Sequence, residues 1–163
     1  FHGQGVMSKY PIISDEYWHI YLGHQRVGID MNGMEVTLYS VHPVHHLVRS
    51  RNFDIRYRTE EVNVFLDKAA QDTTPILIMG DMNMTDQSGD YQRITQTYHD
   101  SYREVGYGMG TTFPENKALL PPLVRIDYVF HSDEFTALEA NVLRSSGGSD
   151  HRPLVVKLAL EKN

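Results

Sequence analysis

The apolar positions of this chain change period several times, and each change marks an element. Residues 75–79, PILIM, are apolar five times running and then give way to Gly80, Asp81, Met82 and Asn83. A run of that length between proline and glycine reads as a strand covered on both faces. Upstream, residues 54–71 follow a helical period, with Val62, Phe65, Leu66 and Ala69 on one face and charged residues between them. Pro75 stops that pattern. Strands are expected at 17–23, 26–31 and 34–42, the last two joined through Met31-Asn32-Gly33, whose Asn-Gly pair favours a tight hairpin turn. Residues 3–8 read as a further short strand. A second, shorter helix is expected over 90–98, with Tyr91, Ile94 and Tyr98 on one face. Residues 106–116 are a glycine-rich loop, 123–132 and 138–144 are strands, 145–151 a turn, and 152–161 the last strand.

Strands outnumber helices, and no regular βαβ alternation runs through the chain. The expectation is a layered α/β or α+β fold with a mixed sheet, in one domain over residues 1–163. Composition narrows the chemistry. The 163 residues are 40% hydrophobic and contain no cysteine. That excludes a disulfide framework, a thiolate metal site and a cysteine nucleophile. The net charge of −6 argues against sequence-independent nucleic-acid binding, which draws on clustered lysine and arginine. It suits a site whose carboxylates are neutralised by a cation.

Polar groups gather where strands end: His42 after VTLYSV, Asp81 and Asn83 after PILIMG, Asp127 within VRIDYVF, and Asp150 with His151 after a Gly-Gly turn. Strand ends are rigid, and the loops beyond them give reach. Asp81, Asn83 and Asp150 are hard oxygen donors suited to Mg²⁺ or Mn²⁺. His151 is a candidate general base, and Asp127 a candidate partner to hold its tautomer. An acid inside an apolar strand requires some such partner. His42 and Asn83 are candidate hydrogen-bond donors to charge developing on oxygen. With no serine or cysteine nucleophile in the set, water is the attacker, and phosphoester hydrolysis is the natural reaction. The HPVHH segment at 42–46 is not expected to be a zinc site, because Pro43 breaks the helix that would align its histidines. Arg49, Arg51, Arg56 and Arg58 read as a solvated face.

Taken in order, SVHP, GDMN, RIDYVF and GSDHRPL resemble the endonuclease/exonuclease/phosphatase superfamily of metal-dependent hydrolases. The resemblance implies a four-layer sandwich of two mixed β-sheets flanked by helices. It implies catalytic roles for His42, Asp81, Asn83, Asp127 and His151, and a metal at or near Asp81 and Asp150. Arg125, two residues from Asp127 and so on the same strand face, is expected to reach substrate phosphate. The superfamily also supplies an early asparagine and a metal-ligating glutamate ahead of the segment that GVMSKYPI resembles. Neither motif precedes it here, and Glu16 follows it, so the chain reads as the C-terminal portion of the family domain. Within the superfamily, the GDMNMTDQSGDYQRI, GYGMGTTFPEN and LVRIDYVFHS segments resemble a bacterial branch that includes membrane-anchored glycopeptide-resistance proteins. That branch implies lipid-linked phosphate substrates, a full-length protein anchored on the outer side of a membrane, and Thr111 and Thr112 as phosphate contacts. A nuclease and a non-catalytic binding module are the alternative readings.

Overall fold

The computed structural model describes residues 4–45, 47–49, 52–115 and 121–161. The chain divides into two units, Phe1–Asn83 and Met84–Asn163.

The first unit is a sheet with one long helix. Strand β1 (Ile12–His19) pairs antiparallel with β2 (Gly23–Asp30), and β2 with β3 (Glu35–Ser40). The β2–β3 turn uses Asn32 and Gly33 at φ 61° and 90°, the left-handed pair that an Asn-Gly hairpin requires. A small hairpin of β4 (Leu47–Arg49) and β5 (Asn52–Asp54) leads into helix α1 (Arg56–Ala69). The chain then returns as β6 (Ile76–Asp81), parallel to β3, with Thr37 opposite Ile76 and Ser40 opposite Met79. A parallel neighbour needs a crossover of this length, and α1 supplies it. The run at 75–79 is apolar on both faces for a visible reason. Ile76 and Ile78 are buried, while Leu77 and Met79 pack from the other side against Val27, Ile29 and Leu38. On α1, Val62, Phe65 and Ala69 are buried at the helical spacing. Lys68 ties the helix to β1 through Glu16 at 2.6 Å and lies over the Trp18 ring.

The second unit begins with α2 (Gly89–Ile94), capped by the Ser88 hydroxyl accepting from Tyr91 N. Strand β7 (His99–Asp100), helix α3 (Ser101–Val105) and β8 (Asp127–His131) follow, with β7 antiparallel to β8. Strands β9 (Phe135–Val142) and β10 (Leu154–Leu160) form an antiparallel pair.

Three expectations change, and several short elements are added. Residues 4–8 form no strand. The first strand starts at Ile12 rather than Tyr17. The β4–β5 hairpin, β7 and α3 carry too short a pattern to be read from periodicity. Asp127 opens its strand instead of lying inside it. No helix among the described residues is long and apolar enough to cross a membrane.

Candidate active site

In the first unit, the segment after β6 alternates like a strand. Met82 is buried, while Asp81 and Asn83 on either side of it are half-buried. Met82 anchors the segment between the members of the polar pair. Gly80 makes this turn possible. It sits at φ +143°, and a Cβ there would lie 2.0 Å from the Val41 carbonyl oxygen. Asn83 adopts φ 50°, a conformation that asparagine tolerates better than most residues. Its backbone N–H donates to Asp81 Oδ1 at 2.8 Å, closing a local turn. Its side-chain Nδ2 donates to the Pro43 carbonyl at 3.0 Å, and Arg58 Nη1 donates to its own carbonyl at 2.8 Å. His42 Nε2 lies 3.5 Å from Asp81 Oδ2.

The loop that carries His42 rests on a buried pair that sequence reasoning missed. His24 and Glu61 are both fully enclosed, with His24 Nε2 3.2 Å from Glu61 Oε1. His24 Nδ1 accepts from His42 N at 3.3 Å, and Glu61 Oε2 accepts from Val44 N at 2.6 Å. Glu61 Oε1 also accepts from Tyr21 N and Leu22 N. Burial alone would raise the Glu61 pKa. The donors from His24, Leu22, Val44 and Tyr21 outweigh it, and the carboxyl is held below its ordinary value. The only signal available beforehand was a glutamate on the apolar side of a predicted helix. Arg58 was likewise read as part of a solvated face. It is buried and donates to the Asn83 carbonyl.

In the second unit, His151 Nδ1 lies 2.9 Å from Asp127 Oδ2, and both side chains are about one-fifth to one-quarter exposed, at 24% and 21%. A carboxylate accepts only, so Nδ1 carries the proton and Nε2 the lone pair of the neutral ring. The Phe113 ring packs against the His151 ring, with centroids 4.7 Å apart. The loop at 111–115 is the scaffold of this pair. Thr112 Oγ1 accepts from Ile126 N, next to Asp127, and the Thr112 carbonyl accepts from Arg152 N, next to His151. Glu115 adds Nε of Arg152 to its carboxylate and its own N–H to the Asp150 carbonyl. The Asp150 side chain is exposed.

Two expected substrate contacts do not fit their surroundings. Thr112 is fully buried, and its hydroxyl is engaged by the backbone. Arg125 is buried and grips Asp100 with Nη1, at 3.0 and 2.7 Å to the two oxygens. Its guanidinium also lies over the Tyr128 ring at 4.5 Å. The strand expected over 123–132 begins only at Asp127, so Arg125 lies ahead of it, on no strand face, and is buried. Asp100, which also caps α3 through Tyr102 N and accepts from Tyr91 Oη, carried no signal as a partner. Thr111 is half-buried.

Residues 1–151 match the model of the endonuclease/exonuclease/phosphatase family. The chain belongs to that family. Its members are in general phosphoester hydrolases, and they generally use divalent metal ions. Among solved structures, a conserved protein of unknown function from Enterococcus faecalis superposes with a TM-score of 0.80 at 21% identity, over 94% of this chain and 68% of that one. A mannosyl-6-phosphatase from Bacteroides thetaiotaomicron superposes with a TM-score of 0.70 at 18% identity, over 93% and 68%. A truncated Caenorhabditis elegans TDP2 superposes with a TM-score of 0.63 at 19% identity, over 91% and 66%. At these identities the likeness establishes the fold, which is of the expected mixed α+β class. This chain spans about two thirds of each of those structures. Among curated proteins, none matches the chain in sequence.

Proposed function

We propose that this chain is a divalent-metal-dependent phosphoesterase in which water attacks phosphorus in line. The observation that carries the reading is the His151–Asp127 pair at 2.9 Å. Asp127 fixes the imidazole so that Nε2 takes the proton from the attacking water, and it stabilises the imidazolium that results. Asn83, pinned by Pro43 and Arg58, donates to a phosphoryl oxygen. His42, backed by His24 and Glu61, supports the leaving oxygen. Asp81 and Asp150 offer oxygen donors that fit Mg²⁺ or Mn²⁺, and such an ion, when bound, neutralises phosphoryl charge and orients water. Thr111 borders the site as a further phosphate contact.

A phosphomonoester is the first substrate class to test, since one structural relative is a sugar-phosphate phosphatase. A lipid-linked phosphate, on a membrane-anchored full-length protein, is the second. The acidic balance places DNA and RNA behind both. The experiment offers an aryl phosphomonoester, a bis-aryl phosphodiester, a lipid phosphate and plasmid DNA, with Mg²⁺ or Mn²⁺ and then with chelator. Turnover that needs the metal and falls in both His151→Ala and Asp81→Ala supports the reading. Turnover that survives both substitutions removes it. Turnover on DNA alone replaces it with a nuclease, and a folded chain inert on every substrate replaces it with a binding module.

A further inference from the structure

Strand β8 runs from Asp127 to His131. Four steps of strand rise put its far end about 13 Å from Asp127. At that far end, a second cluster of titratable side chains lies outside the proposed catalytic set. His131 is 1% exposed at the end of β8, and its ring stacks on that of His99 from β7, with centroids 5.3 Å apart. Glu104 of α3 reaches both rings: Oε2 lies 3.0 Å from His131 Nε2, and Oε1 lies 3.3 Å from His99 Nδ1. The outer nitrogens are engaged as well. His131 Nδ1 lies 3.0 Å from the Ser132 carbonyl oxygen, and His99 Nε2 lies 2.7 Å from Asp133 Oδ1. The cluster lines a cavity of about 510 Å³ together with Phe135, Thr136 and Ala137.

The count of protons decides what this cluster is for. Four ring nitrogens face four oxygens, and every one of those oxygens is an acceptor. Two neutral imidazoles carry one N–H each. If the outer nitrogens hold those protons against Ser132 and Asp133, the inner nitrogens point lone pairs at the Glu104 carboxylate. In that tautomer a positive charge between the lone pairs and the carboxylate relieves the contact. Two added protons would stack two cationic rings with their centroids 5.3 Å apart. A single dication replaces both protons, balances the two carboxylates, and leaves both rings neutral.

We propose that His99 Nδ1, His131 Nε2 and the Glu104 carboxylate form a site for a borderline transition-metal dication, Zn²⁺ being the natural choice. Two imidazoles and a carboxylate are a zinc donor set, unlike the oxygen donors at Asp81 and Asp150. The outer contacts are those that orient metal-bound histidines, a carboxylate on one ring and a backbone carbonyl on the other. His131 and Glu104 are already in place. Closing the set takes a swing of the His99 ring, whose side chain is 47% exposed. Bound there, the ion clasps β7, β8 and α3, the elements that also hold Asp100 and Asp127.

Equilibrium dialysis of the whole chain with Zn²⁺, in excess Mg²⁺, tests this. One Zn²⁺ per chain is expected, together with a higher melting temperature and, with Co²⁺ substituted, a visible absorption band of low-coordinate geometry. Glu104→Gln and His99→Ala should abolish the binding, and Asp133→Asn should weaken it about tenfold or more. These three positions are at least one-third exposed in their side chains, so the variants should remain folded where His131→Ala risks collapse. Zn²⁺ binding that persists in Glu104→Gln but is lost in Asp81→Ala would overturn the proposal, because the ion would then sit at the catalytic carboxylates. Absence of Zn²⁺ binding, with ring-nitrogen NMR shifts reporting two doubly protonated imidazoles, would also overturn it.

Discussion

The two units carry their candidate catalytic groups in different ways. In the first, Asp81 and Asn83 are held by the backbone itself: a glycine pressed against Val41, a left-handed asparagine, and the buried Met82 between the two. In the second, His151 is held by a side-chain contact with Asp127 and by a loop that hydrogen-bonds to the neighbours of both. A backbone-defined group resists displacement but fails with its fold. A side-chain-defined group can be removed with the fold intact. Changes to the backbone that holds Asp81 and Asn83, as at Gly80, should therefore appear mainly as lost stability, and changes at His151 mainly as lost turnover.

The largest expected effect tests that contrast directly. His151→Ala should lower kcat by about 10²–10⁴-fold, the range for a general base, while the melting temperature stays near that of the parent. A matching loss of stability would show that the second half-site is structural as well. Arg125→Met comes next. It strands Asp100 in the interior, and breaking a buried ion pair in this way removes about 3–5 kcal/mol in chemical denaturation. Turnover per folded molecule should be unchanged. A raised KM without lost stability would restore Arg125 as a substrate contact. Gly80→Ala forces a side chain into the left-handed region and against the Val41 carbonyl, and should remove about 3 kcal/mol of stability.

The smallest effect carries a pH signature. Glu61 is held below its ordinary value of 4.5, so its contribution to stability is present above pH 4.5 and fades as pH falls through the lower folded value. Glu61→Gln should remove about 1–3 kcal/mol at neutral pH and flatten the acid limb of the stability curve. If that limb is unchanged, another carboxylate, such as Asp72 beside Arg26 and Tyr39, dominates acid unfolding.

Much of the architecture was legible because it rests on local periodicity. The run at 75–79, the helical face of Val62, Phe65 and Ala69, and the Asn32-Gly33 turn each announce their element within a few residues. The short pieces were not legible. A two-residue strand at His99–Asp100 and a five-residue helix at Ser101–Val105 have too few positions to show a period. The pairing of Asp127 with His151 was anticipated from the types of residue and their order. The burial of Arg125 and Thr112 was not, because an arginine or threonine looks the same in sequence whether its surroundings are wet or dry.

What the chain determined by itself was the set of reactive groups and their placement at element ends, since strand and helix periods and turn chemistry are local properties. What only the tertiary structure decided was which polar group answers which. Glu61 finds His24, Asp100 finds Arg125, and Glu104 finds His99 and His131. The reason is desolvation. A buried charge or amide must be met by whatever donor or acceptor the packed fold brings within about 3 Å, and that neighbour is chosen by the path of the whole chain rather than by spacing along it.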